Sequence, residues 1–169
     1  CYILFTGAFE QTIPWSEEGL GGMQRFLTRV FQLAARVDTD VDPDEESLQR
    51  LHQTIAQVDE RCEALKFNTA IAALMSWVNH IERLPAIAKE TWEATVRLLA
   101  PFAPHLCAQL WSNLGRTEEL AHVPWPKSDA QRARPKECQV PVMINGKIST
   151  KLTVSSDIAD GALEVLAHE

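Results

Sequence analysis

With 169 residues, 46% of them hydrophobic and 23% charged, the chain has a globular composition and room for one sizeable core, or for a helical domain with a small appendage. It contains no run of about 18 uncharged apolar residues, which excludes a membrane-spanning helix. Its apolar start, Cys1-Tyr2-Ile3-Leu4-Phe5, lacks the basic region and length of a signal peptide. The formal net charge of −7 argues against a nucleic-acid partner only if charge is evenly spread, and it is not. Asp38, Asp40, Asp42, Asp44, Glu45 and Glu46 form one acidic run, whereas Lys127, Arg132, Arg134, Lys136, Lys147 and Lys151 gather later against Asp129 and Glu137. Patches, not totals, decide phosphate binding.

The chain has no starting methionine and opens in mid-pattern, which reads as a segment of a longer polypeptide. Residues 1–14 read as a short apolar element and a loop ending at Pro14. A first helix follows, with Ser16 as N-cap and Trp15 placed to staple onto Leu20. Gly19, Gly21 and Gly22 in its first turns each cost about 1 kcal/mol against Ala, so a close backbone approach is expected there. Phe26, Leu27, Val30, Leu33, Ala34 and Val37 carry the helical period to about residue 36. After the acidic loop, Asp42 as N-cap, Pro43 at the first helical position and Glu45 closing a capping box predict a second helix. Its seam is Leu48, Leu51, Ile55, Val58, Cys62 and Leu65. Asn68 is the expected cap of a third helix, with Ile71, Leu74, Met75, Val78 and Ile81. Pro85 opens a fourth, with Ile87, Thr91, Ala94, Leu98 and Leu99. A fifth runs from about Pro104 to Leu114 and stops at Gly115.

Five helices with short connections predict a mainly α, five-helix bundle over residues 1–120. Residues 121–137, with Pro124, Pro126 and Pro135, read as a flexible linker. In residues 138–169 the period becomes two: Val140, Val142 and Ile144, then Asn145-Gly146, then Ile148, Thr150, Leu152 and Val154. This is a hairpin signal, because both turn residues need positive φ. Ser156 would cap a last helix. A lone hairpin is marginal, so this small α+β domain reads as incomplete.

No catalytic constellation emerges. The histidines are scattered, and neither H-E-x-x-H nor a phosphate-binding glycine loop occurs. Cys1, Cys62, Cys107 and Cys138 form no C-x-x-C pair, so no zinc site or disulfide scaffold is expected, and a reducing compartment fits. His105 and Cys107, two positions apart on a helix, point away from each other and cannot act as a nucleophilic pair. Cys62, Cys107 and Trp111 read as core, and core packing is also the first reading of Trp92, although a polar edge leaves base stacking open for it. The acidic run reads as a solvated, helix-capping loop rather than a metal site. The basic residues suggest a different role. Arg25, Arg29 and Arg36 recur at helical spacing, and the first two, one turn apart, can present a paired stripe to a phosphate backbone. A solvated face is the plain alternative. Arg132, Arg134 and Lys136 are clustered in the linker, and Lys147 lies just past the hairpin tip. Arg25, Arg29, Arg132, Arg134 and Lys147 are therefore the candidate RNA contacts.

These segments resemble a known family. Trp15-Ser16-Glu17-Glu18-Gly19, then Gly22 and Arg25-Phe26-Leu27-x-Arg29-Val30, resembles the entry to the helical domain of leucyl-tRNA synthetases. Phe67-Asn68-Thr69-Ala70-Ile71-Ala72-Ala73-Leu74-Met75 is similar to that family's third-helix signature. Leu98-Leu99-Ala100-Pro101-Phe102-Ala103-Pro104-His105 with Leu110-Trp111, then Trp125-Pro126, then Asn145-Gly146-Lys147, follow in family order. Ser149 stands where the family usually carries a basic residue after the hairpin. The resemblance implies an anticodon-binding-type helical bundle plus the start of the C-terminal domain. It also implies a cytoplasmic, monomeric parent enzyme that uses ATP with Mg to attach leucine to its tRNA. The catalytic domain of the same chain would lie upstream, and this part would position tRNA by backbone and shape contacts without a catalytic or metal-binding residue of its own. Three alternatives stay open: the same region of a valyl or isoleucyl enzyme, a freestanding RNA-binding module derived from a synthetase, and a helical protein–protein scaffold.

Overall fold

The computed structural model describes residues 1–8 and 10–134 in full, and residues 137–144 and 147–155 as paired backbone. A single helical turn, α1 (Tyr2–Phe5), precedes α2 (Glu17–Leu33), α3 (Glu45–Glu63), α4 (Phe67–Ile81), α5 (Lys89–Leu99) and α6 (Pro104–Asn113). These five longer helices are the bundle that the periodicity predicts. Between them lies a two-residue parallel bridge, β1 (Val37–Asp38) with β2 (Ile87–Ala88). A further single turn, α7 (Ala130–Ala133), leads to an antiparallel hairpin, β3 (Glu137–Ile144) with β4 (Lys147–Ser155). The hairpin register pairs Ile144 with Lys147, with an irregularity at Val142/Met143. The Asn145-Gly146 turn and the helix expected after Ser156 lie outside the described residues.

One core joins all five helices. Phe26 and Val30 of α2, Leu51 and Val58 of α3, Ile71, Leu74 and Trp77 of α4, Trp92 and Leu98 of α5, and Leu110 of α6 are all buried in it. Trp92 is fully buried, so its ring is a core element and not a base-stacking surface. Trp77 Nε1 donates to Thr95 Oγ1 at 2.8 Å, and that hydroxyl donates to Thr91 O, tying α4 to α5 inside the core. Such buried polar groups are tolerable only when paired.

Several predicted boundaries move. Ser16 caps α2 as expected, accepting from Gly19 N at 3.1 Å. Trp15 does not staple to Leu20 but packs edge-on against Tyr2, with centroids 4.9 Å apart, and stays 65% exposed. The close approach predicted among the glycines exists at Gly19 alone, where an added Cβ would stand 3.1 Å from Tyr2 Cε2. At Gly21 and Gly22 only the tip of Arg25 is near. The N-cap of α3 is Asp44, not Asp42. Asp44 has extended backbone and accepts from Ser47 N at 2.8 Å, which leaves Pro43 outside the helix. Helix α4 starts one residue before Asn68, after a reversal in which Leu65 takes φ 55°, and its N-cap Lys66 makes no side-chain capping bond. Pro85 does not open α5, because the chain first runs extended through the buried Ile87-Ala88 bridge, and helix begins at Lys89. Gly115, at φ 77°, ends α6 as predicted.

The segment read as a flexible linker is in part docked. Ser128 Oγ donates to His52 O at 2.8 Å, Asp129 N to His52 Nδ1 at 3.0 Å, and Gln53 Nε2 to Ala133 O at 2.8 Å. Asp129 then caps α7 by accepting from Gln131 N and Arg132 N. Polar side chains of α3 thus satisfy backbone groups that composition alone would leave to solvent.

Candidate nucleic-acid interface

The candidate cations fall into separate groups. Arg25 is exposed on α2 and forms no ion pair among the described residues. Arg29, one turn on, reaches across to the C-terminal end of α4. Its Nη1 lies 2.9 Å from Glu82 Oε2 and 3.1 Å from Asn79 Oδ1. Arg36 Nη1 donates to the Glu82 carbonyl at 2.9 Å. Arg29 and Arg36 therefore sit where a helix leaves unsatisfied carbonyls and partial negative charge, and they hold α2 to α4. Arg83, exposed and next to Glu82, extends this cluster and was passed over by the sequence reading. Its signal was a cation just past a helix C-terminus, which alone does not separate capping from binding.

Arg132 and Arg134 are exposed on the docked segment and share an open groove with Glu45, Glu46, Arg50, Gln53 and Asp129. Arg132 pairs with Asp129 at 3.7 Å, and Arg50 with Glu46 at 2.8 Å. Acids and bases are balanced there, so the field of this groove is weaker than the linker sequence suggests. Lys147 opens β4 opposite Ile144. Elsewhere Arg116 forks onto Glu93 and lies 5.7 Å above the Trp111 ring, a structural clamp between α5 and the end of α6.

Two arrangements resemble chemistry without permitting it. Ser47 Oγ donates to Asp44 Oδ2 at 2.7 Å and lies 3.0 Å from His80 Nε2. The single hydroxyl hydrogen is used on Asp44, so His80 must donate to Ser47. Ser47 is only 1% exposed, which closes the hydroxyl to a substrate. The three residues instead tie the start of α3 to the last turn of α4. Burial lowers the His80 pKa, with Arg50 adding to the effect and Glu46 and Asp44 opposing it. For Asp44 burial pushes upward, but the Ser47 hydrogen bonds and His80 outweigh it, and the carboxyl lies below its ordinary value. Cys107 is fully buried, and burial pushes its thiol up to about 12, so no thiolate forms near neutrality. Cys62, expected in the core, is only half-buried at its edge. No cluster of three or more potential metal-binding side chains occurs among the described residues. No helix among them is long and apolar enough to cross a membrane.

The architecture is a mainly α bundle followed by a two-stranded hairpin, with its candidate cations in separate groups. The chain belongs to the family described as the anticodon-binding domain of tRNA ligase, whose profile matches residues 44–165. It is 42% identical over 168 residues to a leucine–tRNA ligase of Rhodopirellula baltica, covering 92% of this chain and 18% of that protein. The crystal structure of the ternary complex of Agrobacterium radiobacter K84 agnB2 LeuRS-tRNA-LeuAMS matches with a TM-score of 0.84 at 30% identity. That match covers 98% of this chain and 24% of the other. The chain thus spans about a fifth of the length of the relatives it matches.

Proposed function

We propose that the chain is the tRNA-positioning portion of a leucine–tRNA ligase. The whole enzyme would activate leucine with ATP and Mg and transfer it to its tRNA, as a cytoplasmic monomer. The observation that carries this reading is the 42% identity to a leucine–tRNA ligase across nearly the whole chain. It favours the leucyl assignment over a valyl or isoleucyl one. The 30%-identical solved structure, a LeuRS bound to tRNA, supports the same partner.

In this reading the described residues contribute binding and no chemistry. Arg25 is the first phosphate contact, being exposed on a rigid helix. Arg29 lies one turn further along the same helix, Arg83 follows its partner Glu82 in the chain, Arg132 and Arg134 form a second and weaker contact, and Lys147 serves the hairpin module. Contacts of this kind fix register and orientation without reading sequence. The test is equilibrium binding of the chain to leucine tRNA beside a tRNA with a short variable arm, at low and physiological salt. Preference for leucine tRNA with steep weakening by salt is the expected result. Absence of binding at low salt by a chain that is folded by circular dichroism overturns the positioning role.

A further inference from the structure

Hydrogen bonds from α3 hold the arm of residues 128–133, and one of them depends on protonation. Just before the arm, Pro126 is buried and Pro124 O accepts from Arg97 Nη1 at 3.3 Å, so the chain is anchored up to that point. Beyond it, Lys127, Ser128, Asp129, Gln131 and Arg132 are exposed, and α7 is a single turn with little stability of its own. Ser128 Oγ donates to His52 O and Gln53 Nε2 donates to Ala133 O, and neither of these bonds involves a titratable group. The bond from Asp129 N to His52 Nδ1, at 3.0 Å, is of another kind. A backbone amide can only donate, so Nδ1 must present its lone pair and the ring must be neutral, with its proton on Nε2. In the imidazolium form two N–H groups would face each other at that distance.

We infer that His52 is a proton-sensitive latch: neutral, it docks residues 128–133 on α3, and protonated, it releases them. The charges that face the ring are Arg132 and Asp129 from the arm and Glu90 from α5. Burial and then Arg132 disfavour the imidazolium, Asp129 and Glu90 favour it, and the balance lowers the His52 pKa. The Asp129 carboxylate is engaged in capping α7 and in pairing with Arg132, so it holds the arm's own turn together and moves with the arm. A group that binds protons more weakly when docked loses its docking as pH falls. The latch is therefore fully closed above about pH 6.5, opens below it, and stops responding once the docked form is itself protonated. This device goes beyond the proposed function and does not need it. Where that function holds, the latch decides whether Arg132 and Arg134 meet RNA from fixed positions or from a loose arm.

The test is amide hydrogen exchange of residues 128–133 in the 169-residue chain from pH 8 to pH 5, corrected for the intrinsic pH dependence of exchange. Protection should be constant down to about pH 6.5 and then fall about fivefold, the worth of one net hydrogen bond, while the core amides of α4 stay protected. His52→Asn supplies an uncharged oxygen acceptor in place of Nδ1 and should hold the protection flat across the series. His52→Ala, with no acceptor, should be as loose at pH 8 as the parent is at pH 5. The imidazole nitrogens of His52, followed by nitrogen NMR, should show an unprotonated Nδ1 at pH 8 and titrate with the same midpoint as the loss of protection. Equal protection at pH 8 and pH 5 in the parent overturns the inference. So does a decline of the same size in His52→Asn, which assigns the effect to another group such as His80, or a His52 midpoint that differs from that of the arm. None of these readouts requires tRNA, so this inference and the positioning role fail separately.

Discussion

Arg29 either serves the fold or serves the RNA, and removing its partner separates the two roles. In Glu82→Ala the 2.9 Å ion pair to Arg29 is lost while the backbone carbonyl that holds Arg36 remains. Both side chains of the pair are more than a third exposed, at 38% and 40%, so solvent screening limits the stability loss to about 0.5–1 kcal/mol. If Arg29 is a phosphate contact, the freed guanidinium no longer trades one anion for another. tRNA binding should then tighten by about two- to fivefold, the same energy read as affinity. Arg25→Ala is the complementary change. It breaks no ion pair, so stability should stay within about 0.5 kcal/mol of the parent. Affinity should fall about fivefold, and the slope of log affinity against log salt should become shallower by about 0.7–0.9, one phosphate's worth. Urea titration gives the stability terms, and filter binding across a salt series gives the rest. If Arg25→Ala leaves both affinity and slope unchanged, and Glu82→Ala only destabilises, the α2 stripe is a packing device and the reasoning from exposure is wrong.

Two further outcomes concern stability. Gly21→Ala should raise it by about 0.5–1 kcal/mol, because the new methyl meets only the Arg25 tip at 3.5 Å and helix propensity improves. Gly19→Ala should fall short of that gain, because its methyl presses on Tyr2 at 3.1 Å and disturbs the bond from Ser16 N to the Tyr2 hydroxyl; paired thermal melts check the ordering. Ser47→Ala should cost about 2–3 kcal/mol in urea denaturation, since it strips a carboxylate and an imidazole of a buried shared hydroxyl. His52 and His80 both bind protons more weakly in the folded chain than in the unfolded one. For His52 the cause is burial, then Arg132. Their neutral forms are favoured by folding, so stability is fully present above about pH 6.5 and should decline as pH falls below it. His80→Ala should flatten that decline, and a denaturation series from pH 8 to pH 5 tests it.

Much of this protein is local physics that the sequence displays. The helical periods over Phe26–Leu33, Leu48–Cys62 and Ile71–Ile81, the Ser16 cap, the Gly115 stop and the alternation around Val142 and Leu152 each need only neighbouring residues. They predict five helices and a hairpin correctly. Whether a given arginine is a free charge or a helix cap depends on residues some fifty positions away, as with Arg29 and Glu82. The α3 cap at Asp44 rather than Asp42 rests on Ser47 of the same helix, whose hydroxyl His80 engages in turn from α4. The Val37–Ile87 bridge has too few residues to show a period, and the docking of 128–133 depends on His52 and Gln53 across the surface. Period, capping and turn preference act within a few residues, so composition and order determine them. Pairing of charges and satisfaction of backbone groups are decided only when the bundle closes, because each requires a partner that the chain alone does not place.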